Sequence, residues 1–386
     1  MSEWKEYKLG EIASFKTGKL NSSAAVENGK YPFFTCSPVT LSIDKYEYNQ
    51  KAILLAGNNA EGNFNIKYYE GKFNAYQRTY IIESNANICD LKFLYYSLQL
   101  NLLEFKNISQ GTSTRFLTSA ILNSFNIRLP LLAEQKRIAS ILGSLDDKID
   151  LLHRENETLE AMAETLFRKW FIENTESSVK QDYLGDYILD TIGGEWGKEV
   201  SQDDFVKPVK CIRGTDIAAL NTGIASKTPL RFIKKSKYEK IKPLDGDIII
   251  EISGGTENQS TGRSLYINKE VCGLFDYPII FSNFCRLLRV EKKYSYFVYC
   301  YLQYLYRQDE FFNIENGSSG IKNLDYKTLL YNNQYQMPTN KNFAANFSEI
   351  VTPYFTKIDK NKLQICNLMK MRDTLLPRLI FNKIKI

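Results

Sequence analysis

The chain has 386 residues, a formal net charge of +6 and 44% hydrophobic residues, which is ordinary for a soluble globular protein and predicts two or three domains rather than one. It contains no run of about 18 apolar residues, so we expect no membrane span and no membrane partner. Seven scattered cysteines without a C-x-x-C pair, after an N-terminus without a signal-peptide pattern, favour reduced thiols in the cytoplasm.

The first globular segment covers residues 1–130. Short apolar runs bounded by Gly or Asp predict buried strands at 52–57 and 79–82, and an amphipathic pattern predicts a helix over 93–103. Its loops place polar and basic side chains among glycines and aromatics, the residue types that contact base edges and phosphates. The DNA-binding residues predicted here are Asn58, Asn59, Gln77, Arg78, Thr112, Ser113, Thr114 and Arg115.

A long helix is predicted over 131–176. Its seam residues recur at alternating steps of four and three, which is typical of helices that wind around a partner helix. The seam extends for about 48 Å at 1.5 Å per residue. Its members are Ile138, Leu142, Leu145, Ile149, Leu152, Asn156, Leu159, Ala163, Leu166 and Trp170.

The second globular segment covers residues 177–338 and repeats the organisation of the first. Strands are predicted at 247–250 and 278–281 and a helix over 294–305. Matching motifs recur at an offset of 175 residues at its start and 209 in the following helix, so this segment is longer by about 34 residues. Glu83 and Glu251, both near strands, are interpreted as polar surface residues. The DNA-binding residues predicted in this segment are Arg213, Thr215, Gln259, Arg263, Ser318, Ser319 and Lys322.

A second long helix is predicted over 339–386, and Pro353 is expected to kink or delay it near its start. The net charge is −4 over 131–178 and +6 over 338–386, which favours pairing of the two helices. We therefore expect an α+β protein in which two mixed α/β domains alternate with two long coiled-coil helices, as an internal pseudo-two-fold repeat. The second seam comprises Phe347, Val351, Tyr354, Ile358, Asn361, Ile365, Leu368, Arg372, Leu375 and Leu379.

The common catalytic motifs are missing. His153 is the single histidine, so no metal site with two histidines can be built. For a Ser-His-Asp or Cys-His arrangement, His153 is the one histidine available. The chain has no G-x-x-x-x-G-K-[ST] loop and no N-P-P-[YF] run of an adenine methyltransferase. The sequence therefore predicts no catalytic residue, no metal site and no cofactor bound by this chain.

The segment Leu129-Pro130-Leu131-Leu132-Ala133-Glu134-Gln135-Lys136-Arg137-Ile138 resembles the opening of the central conserved helix in the specificity subunits of type I restriction–modification systems. These specificity subunits repeat the arrangement in a second, distal half. The Leu-Gly openings of both segments, and the second helix ending Leu375-Leu376-Pro377-Arg378-Leu379, resemble that distal half. The distal half of this chain departs from the pattern, because 338–342 lacks the Glu-Gln start.

This resemblance implies two target-recognition domains, 1–130 and 177–338, separated by an antiparallel pair of helices, 131–176 and 339–386. Each domain would read one half of a bipartite, asymmetric site in double-stranded DNA. Two methyltransferase subunits would dock on the chain and use S-adenosylmethionine on adenine N6, and two restriction subunits that use ATP with Mg can join. A 48 Å helix pair along the duplex corresponds to roughly 14 base pairs, so it would act as a ruler for the unread spacer.

Two other classes stay open on the sequence. One is a stand-alone coiled-coil DNA-binding or regulatory protein, although free regulators usually obtain their symmetry by dimerising. The other is a single-chain nuclease or methyltransferase, which the missing motifs oppose. Within the type I class, the chain could serve a methyltransferase that has lost its restriction subunit.

Overall fold

The computed structural model describes residues 4–173, 178–225, 227–317 and 321–383. The chain divides into two compact units: the first contains the residues up to Asp147 and those from Lys370 onward, and the second contains Lys148–Met369. This division falls inside both long helices, and the domain limits near 130, 176 and 338 stay a prediction. Within the described ranges, no helix is both long and apolar enough to cross a membrane.

The described residues of the first unit form ten strands and four short α-helices, besides its segments of the long helices. The strands are β1 (Lys5–Lys8), β2 (Ala13–Thr17), β3 (Tyr31–Phe34), β4 (Leu41–Ile43), β5 (Tyr48–Ala56), β6 (Asn58–Asn59), β7 (Ile66–Ala75), β8 (Thr79–Ser84), β9 (Arg115–Phe116) and β10 (Asn126–Leu129). The helices are α1 (Leu9–Ile12), α2 (Leu91–Leu100), α3 (Leu102–Ile108) and α4 (Ser119–Ser124).

A six-stranded sheet in the order β2-β8-β5-β7-β3-β4 forms the centre of the first unit. Neighbouring strands are antiparallel except for the parallel pair β3 and β7. The predicted strands at 52–57 and 79–82 correspond to β5 and β8, and the predicted helix over 93–103 is divided at Asn101 into α2 and α3. Residues 52–56 are buried because β5 lies between two neighbouring strands.

The first long helix, α5 (Leu132–Phe167), continues into a π-helical turn over Arg168–Ile172. All ten positions of the first predicted seam are buried or half-buried. Gln135, which lies in the 129–138 segment at the start of this helix, is 1% exposed. Its side chain accepts a hydrogen bond from the Asp90 N–H (2.9 Å) and donates to the carbonyl oxygens of Ile88 (3.0 Å) and Pro130 (2.9 Å). This residue therefore ties the start of α5 to the start of α2.

The second unit contains twelve strands and four short helices in its described residues. The strands are β11 (Val179–Tyr183), β12 (Ile188–Gly193), β13 (Lys207–Ile212), β14 (Leu230–Ile233), β15 (Ile248–Glu251), β16 (Ser253–Gly254), β17 (Ser264–Tyr266), β18 (Ile279–Phe281), β19 (Cys285–Val290), β20 (Glu315–Asn316), β21 (Lys322–Leu324) and β22 (Gln334–Pro338). The helices are α6 (Gly214–Asn221), α7 (Lys235–Ile241), α8 (Lys269–Cys272) and α9 (Ser295–Arg307).

The sheets of the second unit repeat the strand succession of the first. A four-stranded sheet has the order β12-β19-β15-β17, and a three-stranded sheet has the order β14-β13-β18 with β13 and β18 parallel. Strands β17 and β18 together correspond to β7, divided by the segment that contains α8. Helices α6 and α7 lie in connections that are much shorter in the first unit. The additional residues of the second unit therefore include α6, α7 and α8.

The second long helix is α10 (Lys341–Ile380). Its start lacks Glu-Gln, but Asn340 supplies a cap by accepting the N–H of Asn342 at its Oδ1 (2.9 Å). The expectation that Pro353 delays the helix is wrong, since α10 has completed about three turns before it. Pro353 is exposed, whereas Val351 and Phe347 in the same stretch are buried and hold the helix against the core.

Within the second unit the two long helices run antiparallel, because Trp170, just beyond the end of α5, stacks on Phe343 near the start of α10 (4.7 Å), whereas earlier residues of α5 contact later residues of α10. In the second unit Glu155 pairs with Lys357 (3.4 Å), and Asn361 Nδ2 donates to Asn156 Oδ1 (2.9 Å). In the first unit Asp146 pairs with Arg372 (3.0 Å). Helix α5 supplies the acid and α10 the base in both ion pairs, which agrees with the charge contrast in the sequence. All ten positions of the second seam are buried or half-buried.

Candidate nucleic-acid interface

A two-stranded ribbon in the first unit brings together three loop segments that are distant in sequence. Strands β6 and β9 pair with Asn58 opposite Phe116 and Asn59 opposite Arg115. Immediately before β6, the N–H of Gly57 donates to the carbonyl of Arg78 (2.8 Å), and the Gly57 carbonyl accepts the N–H of the residue after Phe116 (2.9 Å). The predicted residues of 58–59, 77–78 and 112–115 therefore share one neighbourhood.

Cationic, polar and aromatic side chains stand on this ribbon. Arg78 is exposed, and its guanidinium lies over the ring of Phe116 at 5.6 Å. Arg115 is half-buried and donates from Nη1 to the carbonyl of Ser109 (3.1 Å). Gln77, Thr112 and Ser113 are exposed, and Thr114 is half-buried. This combination can contact phosphates through its cations and base edges through its amides and hydroxyls.

The side-chain oxygens of the two ribbon asparagines differ in their hydrogen bonds. Asn59 Oδ1 accepts the backbone N–H groups of Glu61 (2.9 Å) and Asn63 (3.0 Å), so this side chain shapes the loop. Asn58 is half-buried, and its Oδ1 has no hydrogen-bond partner among the described residues. A buried acceptor without a partner costs folding free energy, and Asn58 carries this cost whereas Asn59 does not.

The second unit carries the same ribbon. Strands β16 and β21 pair with Ser253 opposite Asn323 and Gly254 opposite Lys322. The N–H of Ile252 donates to the carbonyl of Phe284 (2.9 Å), and the Ile252 carbonyl accepts the N–H of the residue after Asn323 (2.9 Å). Because Ile252 occupies the place of Gly57 in this bond pattern, Phe284 is the counterpart of Arg78 and Lys322 is the counterpart of Arg115.

A cavity of about 660 Å³ opens beside this second ribbon. Four residues predicted from two separate segments line it: Arg213, Thr215, Gln259 and Arg263. Ser318 and Ser319 lie outside the described residues. The lining residues that the sequence prediction missed include Trp196, Glu251 and Phe284.

The predicted cations of the second unit are held by carboxylates rather than standing free. Arg263 donates from Nε and Nη2 to the two carboxylate oxygens of Glu251 (2.8 and 2.6 Å). Arg213 binds Asp216 in the same two-pronged way (3.0 and 2.7 Å). Lys322 lies 3.1 Å from a carboxylate oxygen of Glu315. These hydrogen bonds raise the pKa of Arg213 and of Arg263, and both stay charged.

The interpretation of Glu251 as a surface residue is wrong. Its side chain is 1% exposed, because β15 carries it from the core to the cavity floor, where Arg263 neutralises it. Glu83 is part-exposed and pairs with Lys16 (2.9 Å). The sequence carries no signal for Phe284, because its equivalence to Arg78 rests on backbone hydrogen bonds that do not depend on side-chain identity.

Comparisons with known proteins agree with this architecture. A family profile for the type I restriction modification DNA specificity domain matches residues 1–161. The chain is 37% identical over 164 residues to the type I restriction enzyme EcoDI specificity subunit of Escherichia coli, which covers 42% of this chain and 34% of that protein. It is 26% identical over 319 residues to the MjaIX specificity subunit of Methanocaldococcus jannaschii, which covers 76% of this chain and 69% of that protein.

The match to the Escherichia coli relative therefore spans about a third of that protein's length. The chain also shares its fold with the crystal structure of a type I restriction-modification system S subunit from M. genitalium. That comparison has a TM-score of 0.64 at 19% identity and covers 98% of this chain and 96% of the other.

Proposed function

We infer that this chain, which belongs to the family of type I restriction–modification specificity subunits, is the sequence-reading subunit of such a complex. Each unit reads one half of a bipartite, asymmetric DNA site through its ribbon. The observation that carries this proposal is the repeated ribbon, in which the same backbone bonds present different side chains, Arg78 in one unit and Phe284 in the other. A scaffold used twice with different residues suits two different half-sites.

The helix pair sets the unread spacer and docks two methyltransferase subunits in this proposal. The 36 residues of α5 correspond to about 54 Å, or about one and a half turns of DNA. S-adenosylmethionine, and ATP with Mg where restriction subunits join, belong to the partner subunits. This chain contributes recognition and geometry and no catalytic group.

A methylation map tests the reading role. The chain is expressed with its candidate methyltransferase subunit in a host without DNA methylation, and N6-methyladenine is located across the genome. We expect one split motif, methylated on both strands with a fixed gap. The double variant Arg78→Ala/Arg115→Ala should lose recognition of one half only.

A control variant and two outcomes make this test decisive. Lys5→Ala removes an exposed cation from the same unit away from the ribbon, and it should leave the motif unchanged. Absence of any methylation with both proteins soluble and associated would favour the regulatory class. A motif that survives replacement of both ribbon cations moves recognition to another surface.

The spacer role has a separate test. Deleting residues 148–154 and 364–370 removes one heptad from each helix and keeps the Asp146–Arg372 and Asn156–Asn361 pairs. About 10 Å of helix is lost, so the recognised gap should shorten by roughly 3 base pairs. An unchanged gap in the methylation map would contradict the ruler.

A further inference from the structure

The cavity of the second unit has a floor that the edge of a stacked base cannot reach. Glu251 is 1% exposed and Arg263 is 15% exposed. The groove edge of a base inside a duplex is flanked by neighbouring base pairs and sugar–phosphate backbones. Donors at the bottom of a cavity of about 660 Å³, a volume typical of small-molecule sites, therefore suit a ligand that enters alone.

The polar floor is preorganised. Glu251 takes up the Nε–H and one Nη2–H of Arg263, and the Nη1 hydrogens of Arg263 make no hydrogen bond within the described residues. Arginine held in this way presents fixed donors, which match a base with acceptors on its edge, such as O6 and N7 of guanine. Gln259 and Asn283, both exposed, add amides at the wall.

Aromatic rings line the cavity as well. Phe284 is 50% exposed, although its carbonyl is fixed by the N–H groups of Ile252 (2.9 Å) and Ser253 (3.2 Å). Trp196 is held by the guanidinium of Arg231, 4.3 Å from the ring centroid. An exposed ring on a fixed backbone is a stacking platform for a base that has left the duplex.

The cavity depends on residues that the first unit lacks. Gly214 and Thr215, at the start of the additional helix α6, form part of its lining. The counterpart of Phe284 in the first unit is Arg78, which lies over Phe116. Two features of the second unit therefore line the same cavity: the additional helix α6, and Phe284 in the place where the first unit has Arg78.

We propose that this cavity binds a single base extruded from the half-site that the second unit reads, with Phe284 stacking on it and Arg263, positioned by Glu251, favouring guanine. The proposal rests on the proposed DNA-reading function. Extrusion costs the pairing and stacking of one base, so a mismatch at that position removes part of the cost before binding.

The test uses the complex of the full chain with its methyltransferase subunit and the half-sites from the methylation map. Duplexes with one mismatch at each position of the second half-site are compared by equilibrium binding. We expect a guanine position, distinct from the methylated adenine, at which a mismatch strengthens binding about tenfold or more. A neighbouring 2-aminopurine should brighten on binding.

Phe284→Ala should abolish the gain at that position and weaken binding to the intact duplex by about 5-fold to 150-fold. A methyltransferase also extrudes the adenine that it methylates, so a mismatch there should strengthen binding as well, and that gain should persist in Phe284→Ala. Tyr277→Ala removes an exposed aromatic residue of the same unit outside the cavity lining and should change neither quantity.

The outcomes separate the two proposals. Specific binding without any mismatch gain, other than at the methylated adenine, overturns the cavity proposal and leaves the reading role intact. A gain at a base other than guanine overturns the assignment to Arg263. If Phe284→Ala leaves the mismatch gain at the guanine position unchanged, the base does not bind in this cavity and the cavity proposal is overturned. Absence of specific binding by the unmodified complex contradicts the proposed function itself.

Discussion

The first and second units share one backbone plan but differ in the chemistry at equivalent positions. Arg78 and Phe284 occupy the same place in the ribbon, where their carbonyls accept equivalent backbone bonds. Gln135 and Ala344, separated by the 209-residue offset of the long helices, are both fully buried. Backbone hydrogen bonds therefore maintain the repeat, while the side chains at its key positions vary independently.

The same contrast applies to the way each unit holds its segments of the long helices. In the first unit polar bonds add to the apolar packing of both helices: Gln135 bonds the start of α2, and Tyr96 donates to Asp146 (2.6 Å). In the second unit aromatic residues dominate: Trp170 stacks on Phe343 at 4.7 Å beside buried Phe171. A buried hydrogen bond requires one geometry, and loss of one partner is costly because the other stays buried and unpaired. Apolar packing tolerates substitution by other apolar residues of similar volume.

Gln135→Ala should have the largest effect on this comparison. It leaves the Asp90 N–H and two carbonyl groups without their partner, and we expect the free energy of unfolding of the first unit to fall by about 2–4 kcal/mol. Hydrogen-exchange mass spectrometry in denaturant measures each unit separately. Lys136→Ala, exposed on the same turn, should change it by less than about 0.5 kcal/mol. Equal destabilisation of both units would contradict a local anchor.

The buried asparagine pair of the second unit is the next test. Asn361 donates from Nδ2 to Asn156 Oδ1 (2.9 Å) and to Glu155 (2.9 Å). Asn361→Leu alone should cost about 1–3 kcal/mol, because Asn156 stays buried without its donor. The double variant Asn156→Leu/Asn361→Leu should regain most of that loss, since leucine is the usual seam residue. A double-mutant cycle on the second unit measures the coupling, and strictly additive losses would exclude it.

Arg78→Ala tests the ribbon of the first unit. If Arg78 reads a base, we expect specific affinity for DNA to fall by about 1–2 kcal/mol, with relaxed preference at one position of the first half-site only. If Arg78 binds a phosphate, the loss is uniform across sequences and the salt dependence of binding decreases by about one ion. Binding titrations at several salt concentrations distinguish these two cases. Full affinity with unchanged salt dependence would exclude Arg78 from the interface.

The long-range periodic features could be predicted from the sequence. The seams follow a 4,3 repeat, and burial along a helix imposes that spacing on the residues directly. Strands β5 and β8 were found because short apolar runs mark buried strands. The contrast in charge between the helices also predicted which helix supplies the acid in the Asp146–Arg372 pair.

The chemistry of the loops could not be predicted in the same way. Arg263 meets Glu251 across a loop, so its pairing depends on the tertiary path of residues 252–262. The equivalence of Arg78 and Phe284 is set by backbone hydrogen bonds, which leave no mark on side-chain identity. Gln135 is a polar residue in a buried position. Its burial is explained by the backbone groups of Ile88 and Asp90, which bond its side chain and are distant in sequence.

Glu160 offers the smallest and most specific test, a pH dependence confined to the second unit. Burial raises the pKa of its carboxyl group, and the opposing charges of Lys362 and Arg307 offset this only in part. The folded unit therefore binds the proton more tightly than the unfolded chain, so its stability falls as pH rises from the unfolded pKa through the folded one. Glu160→Gln removes this loss, and its advantage over the unmodified protein should be larger at pH 7 than at pH 4. Denaturant titrations at both values measure it, with Glu349→Gln, an exposed glutamate of α10 in the same unit, as the matched variant. An advantage independent of pH would mean that packing, rather than the charge of Glu160, causes the difference.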